Sequence, residues 1–139
     1  MSHEKDIREF HWPIRIYYED TDAGGIVYHA NYLKFMERAR TEWLRQCGFE
    51  QTVLAQTFGV VFVVRKILID YLFPARFNEQ IVVCSSVKRL GRASIEFAQN
   101  ILSADRIVSR GEVKVGCLDT EFMRPKPIPS EVYSEIRDA

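Results

Sequence analysis

The sequence predicts an α+β chain in which one antiparallel sheet wraps around one long helix. Three observations carry that expectation. A single helical stripe runs through residues 31–47, with apolar side chains well beyond a narrow seam. Four alternating, β-branched runs follow it with short connections. No second long helix is available to cover a parallel sheet.

Element by element, residues 1–11 read as polar and loose. The opening MSHEKDIREF is charged throughout and carries no signal-peptide pattern. WPIRIYYE, residues 12–19, alternates Ile14 and Ile16 against Arg15 and Tyr17, so a first strand is expected there. From Asn31 the period changes. Tyr32, Met36, Ala39, Trp43 and Cys47 are spaced by four, three, four and four, which sets them on one helical face. Asn31 is the expected N-cap and Gly48 the expected stop. Residues 51–57 add a short helical turn.

The strands come next. FGVVFVVRKILIDYLFP sets Ile67, Ile69 and Tyr71 against Lys66 and Asp70. EQIVVCSSVKRL follows, then GRASIEFAQNIL with Ala93, Ile95 and Phe97 on one face. RIVSRGEVKVGCLD sets Ile107, Val113, Val115 and Cys117 against Arg110, Glu112 and Lys114. Connections holding Gly91 or Asp105 suggest antiparallel hairpins. MRPKPIPSE breaks the pattern, and Ser130 is placed to cap a terminal helix reaching Ile136. Exposed sheet edges favour pairing between two chains.

The bulk numbers narrow the function. A chain of 139 residues fits a single domain over 1–139. Nineteen basic and nineteen acidic residues cancel, which argues against a nucleic-acid partner. No apolar run is long enough to insert in a membrane. Cys47, Cys84 and Cys117 are odd in number and lack C-x-x-C spacing, so neither disulfides nor a zinc site is expected, and a reducing cytoplasm fits best.

The chemistry concentrates in YYEDTDAGGIVYHANYLKFMERAR, residues 17–40. Asp20 and Asp22 share a face only if the strand continues through Thr21; if it breaks there, one is free to cap and the other to meet a ligand. Gly24 and Gly25 permit dihedrals closed to other residues. The helix that follows offers unpaired amides and a positive dipole end, where an oxygen gaining negative charge is stabilised. A carboxylate nearby can attack a carbonyl or activate water. These are parts of an acyl-transfer or hydrolysis site. Ordinary turn chemistry also explains Asp-x-Asp before glycines. A phosphohydrolase of the D-x-D type would need a parallel sheet with crossover helices. Asp20, Asp22 and His29 lack a strong metal-ligand spacing.

That stretch, extended to TEWL, closely resembles the opening motif of the 4-hydroxybenzoyl-CoA thioesterase family, most of all its bacterial branch associated with the Tol-Pal gene cluster. The resemblance covers nearly the whole chain. It implies a hotdog fold, with a five- or six-stranded sheet around the helix, and dimers joined edge to edge that pair into tetramers. It implies acyl-CoA hydrolysis with no cofactor and no metal. The family's catalytic carboxylate falls on Asp22 and its motif glycine on Gly25. The amide that polarises the thioester carbonyl falls at about His29, and the His29 side chain is the second catalytic candidate. Tyr18 and Gly25 are candidates for substrate contact, and Lys88, Arg89 and Arg92 for the phosphates of CoA, with Arg124 and Lys126 further basic residues in the tail. Tyr28 and His29 depart from the benzoyl-specific pattern, so an aromatic acid substrate is not carried over. Tyr32, Phe35, Phe62 and Tyr71 are core aromatics by spacing, and also candidates for lining an acyl tunnel. The alternatives are an acyl carrier protein thioesterase, a dehydratase of the same fold, or a non-catalytic platform for phospholipid-synthesis or envelope proteins.

Overall fold

The computed structural model describes residues 8–139. Residues 1–7, where most of the expected loose start falls, lie outside them. Strand β1 spans Phe10–Arg15 and helix α1 spans Asn31–Gln46. A short turn, α2 (Gln51–Val53), runs on into a wide turn over Leu54–Phe58. Strands β2 (Val60–Tyr71), β3 (Gln80–Leu90), β4 (Ser94–Ser103) and β5 (Arg106–Asp119) follow, then helix α3 (Ser130–Asp138). The sheet runs β1-β3-β4-β5-β2, antiparallel throughout, which leaves β1 and β2 as edges.

The helix is long and sits on the sheet because its stripe demands it. Tyr32, Phe35, Met36, Ala39, Trp43 and Leu44 are buried, while Lys34, Glu37, Arg38 and Arg45 form the exposed face. The alternate residues Ile95, Phe97 and Ile101 of β4, with Val113, Val115 and Cys117 of β5, supply the other half of the core. Trp43 meets Phe97 edge to face, with ring centroids 5.0 Å apart. Gly48, at φ +104, ends the helix as expected.

One polar side chain holds the helix in register. Gln99 is fully buried on the inner face of β4. Its Nε2 donates to Met36 O (3.0 Å) and Ser85 Oγ (2.9 Å), and its Oε1 accepts from Arg40 Nη1 at 2.9 Å. Opposite it stands Gly111, where a Cβ would lie 2.7 Å from Met36 Cε, so glycine permits the closest approach of helix and sheet. Gln99→Leu is expected to cost about 1–3 kcal/mol, because Arg40 and Ser85 lose their buried partner. The urea midpoint checks this.

Several expectations need correction. The first strand begins at Phe10 and ends at Arg15, so it includes two residues read as loose and omits the tyrosines. Tyr18–Asp20 form a 3-10 turn instead, because Asp20 Oδ2 accepts from Tyr17 N (2.9 Å) and pulls the chain round. Asn31 is the first helical residue rather than the cap; its Nδ2 donates backwards to Asp20 O at 2.9 Å. Ser130 likewise opens α3 without a capping bond. In β5 the register slips at Val108, which takes a buried position, so the alternation does not reach Ile107.

Candidate active site

The stretch after the 3-10 turn folds into a tight hairpin. Thr21 bridges Val27, Asp22 N donates to Ile26 O (2.9 Å), and Gly25 N donates to Asp22 O (3.0 Å). Gly25 turns the tip at φ +81. The two aspartates therefore part. Asp20 is tied into the fold through Tyr17 and Asn31. Asp22 is exposed, with Oδ1 accepting from Gly24 N at 2.8 Å. Among the described residues no donor meets its Oδ2. A Cβ on Gly24 would press within 3.2 Å of Oδ1, so Gly24 shapes the pose of that carboxylate.

The hairpin delivers the chain to α1. Asn31 N donates to Tyr28 O (2.8 Å), Tyr32 N to His29 O (3.4 Å) and Leu33 N to Ala30 O (3.2 Å). The first helical amides are thus engaged in tight turns, contrary to the sequence expectation. The amides left without an acceptor, among the described residues, are those of His29 and Ala30. They stand at the positive end of a 16-residue helix. Tyr71, at the end of β2, donates its hydroxyl to His29 O at 3.1 Å and meets the imidazole edge-on. Burial holds the phenols of Tyr71 and Tyr32 above their ordinary values, so both stay protonated.

Ile26, Val27, His29, Tyr32, Tyr71, Leu72, Phe73 and Pro74 line an open apolar cleft of about 300 Å³ at this entrance. Asp22 is exposed and is not among the cleft-lining residues; its link to the cleft is the backbone bond from Asp22 N to Ile26 O, Ile26 being part of the wall. Of the expected aromatics, Tyr32 and Tyr71 line the cleft, Phe35 is core, and Phe62 lies against a separate pocket with Arg40. Tyr18 is 75% exposed and stacks flat on Phe77 at 3.9 Å, outside the cleft.

The basic residues lie elsewhere. Lys88, Arg89 and Arg92 belong to the β3–β4 hairpin, which sits near the C-terminal end of α1, about 24 Å along the helix from its entrance. Lys88 is paired with Glu112 at 3.0 Å. Within one chain the structure does not bring these cations to Asp22. None of the three cysteines lines the cleft, and burial raises the thiols of Cys84 and Cys117 and pushes Cys47 up to about 11.

An antiparallel sheet clasping one helix, with an acidic hairpin at the helix mouth, is the build of a hotdog-fold thioesterase. The comparisons agree. The chain belongs to the thioesterase-like superfamily, whose family model matches residues 17–136. The acyl-CoA thioester hydrolase YbgC of Escherichia coli O6:H1 is 42% identical over 129 residues, covering 92% of this chain and 96% of that one. The acyl-CoA thioesterase YbgC of Haemophilus influenzae is 44% identical over 123 residues, covering 88% and 90%. The crystal structure of a probable thioesterase from Bartonella henselae superposes with a TM-score of 0.81 at 34% identity, covering 88% of this chain and 99% of that one. No helix of the described residues is long and apolar enough to cross a membrane.

Proposed function

We propose that this chain hydrolyses acyl-CoA thioesters to the free acid and CoA at the mouth of α1. The observation that carries this reading is the pair of unengaged amides, His29 and Ala30, at the entrance of the helix into which the Asp22 hairpin leads. The thioester carbonyl oxygen accepts from these amides, which stabilise the charge it gains. Asp22 attacks the carbonyl carbon or deprotonates a water that does. The tetrahedral intermediate then collapses, the C–S bond breaks, and CoA leaves as thiolate; where Asp22 is the nucleophile, water then cleaves the resulting mixed anhydride, releasing the acid and restoring the carboxylate. The His29 imidazole, on the cleft wall, orients the water or moves its proton. The apolar cleft receives the start of the acyl chain. Water is the only co-reactant required, and the names of the similar proteins support the same substrate class. The free thiols fit a cytoplasmic setting.

A second copy of the chain completes the reading. Edge strand β2 exposes Val64, Leu68 and Tyr71, and Leu72 and Phe73 continue that apolar strip. Its first half borders the end of β5 next to the β3–β4 hairpin, and its last residue reaches the helix entrance. Antiparallel pairing of two β2 edges therefore carries one chain's basic hairpin towards its partner's active site. Lys88, Arg89 and Arg92 then meet the nucleotide end of CoA across the interface.

Release of free thiol from a panel of acyl-CoAs, varied in chain length and including aromatic acids, tests the activity. Matching acyl carrier protein thioesters form a second arm. Release from CoA thioesters is expected; silence across the panel would overturn the proposal and leave the fold as a binding platform. Tyr71→Phe should lower kcat about 2–10-fold, since one hydrogen bond to the His29 carbonyl is worth about 0.5–1.5 kcal/mol. Steady-state rates for the best substrate read this directly.

A further inference from the structure

His11 and Cys84 stand directly opposite one another in the β1–β3 pair. Glu9 precedes His11 by two residues and projects from the same outward face. Donor atoms of the three side chains all lie within 4.8 Å of one another, and His11 Nε2 is 3.0 Å from Glu9 Oε1. Among the described residues no other group of three such donors converges. Glu9 and His11 are exposed and Cys84 is half-buried, so an ion can enter from solvent while the sulfur stays sheltered. On its other flank Cys84 faces Asn100, which brings no competing positive charge. None of the three lines the cleft at the helix entrance.

The donor set selects the ion. A sulfur, an imidazole nitrogen and a single carboxylate suit a borderline-soft cation, whereas magnesium and calcium take all-oxygen shells. Bonds of about 2.0–2.3 Å in a tetrahedron put neighbouring donors about 3.4–3.6 Å apart. Rotamer changes suffice to reach that from the present spacing, because the backbones are already held by the β1–β3 ladder. We propose that Glu9, His11 and Cys84 form a binding site for a thiophilic divalent cation of the zinc class, with water in the fourth position. The ion would clip the six-residue edge strand β1 to β3. This site does not depend on the thioesterase reading.

Cobalt titration of the reduced, metal-free full chain tests it. One equivalent of Co2+ should produce a thiolate-to-metal charge-transfer band, which Zn2+ then displaces. Cys84→Ser should abolish the band, and His11→Ala should weaken Zn2+ binding by at least the roughly 10–100-fold that lost outer-shell partners cost. Alkylation of the unsubstituted chain provides a check that needs no variant: Zn2+ should protect one thiol, mapped by mass spectrometry to Cys84. Absence of the band, its survival in Cys84→Ser, or protection mapping to Cys47 or Cys117 would overturn the proposal.

Discussion

Asp22→Asn is expected to lower kcat for acyl-CoA hydrolysis by about 10²–10⁴-fold, the span of a lost general base. Asparagine has nearly the same shape, and its carbonyl oxygen can still accept from Gly24 N, so the hairpin pose is retained. What disappears is the charge and the basicity of the free oxygen. The side chain is exposed, so the unfolding midpoint should stay within about 0.5 kcal/mol of its starting value. Steady-state kinetics with the best substrate of the panel, paired with a urea melt, separate the two effects. A folded variant turning over at the unsubstituted rate would remove Asp22 from the mechanism.

The second large effect concerns the backbone. His29 follows Tyr28 at the first central position of a turn closed by Asn31 N to Tyr28 O, a position where proline is favoured. His29→Pro therefore deletes the free amide together with the imidazole while suiting the turn. His29→Ala deletes the imidazole alone. If the amide polarises the carbonyl, the proline variant should fall about 10²–10³-fold below the alanine variant in kcat. Equal rates in the two would show that the His29 amide contributes nothing, and would leave the Ala30 amide and the side chain to consider. Circular dichroism and the unfolding midpoint establish that both variants keep α1.

Much of this architecture can be read from the residues because α1 and β5 carry strong periods. The stripe from Tyr32 to Trp43 defines the helix, and the alternation through Val113 and Cys117 defines the inner face of β5. The strand order is different. Nothing local says that β1 pairs with β3, or that β2 crosses to the far edge, because those choices follow from long-range packing. The same limit hides the convergence of His11 and Cys84, which depends on inter-strand register and not on spacing along the chain. It also hides Tyr71, a residue whose spacing suggests packing and whose hydroxyl instead pins the helix entrance. Asp20 and Asp22 were open alternatives in the sequence. Their division of labour follows from which one the 3-10 turn captures, and that depends on hydrogen bonds to Tyr17 and Asn31.

The free β2 edge has a consequence for how the chain survives its own synthesis. A lone molecule leaving the ribosome displays twelve residues of bare strand, a template that any other unfinished chain can extend. Midway along, the ladder slips between Val64 and Lys66, where Arg65 and Lys66 sit side by side. Two adjacent cations and a local twist act as gatekeepers, since a stack of many copies would accumulate like charges layer upon layer, whereas a single pair meets them once. Growth into a fibre is thereby disfavoured, and closure with one correctly aligned sister remains open.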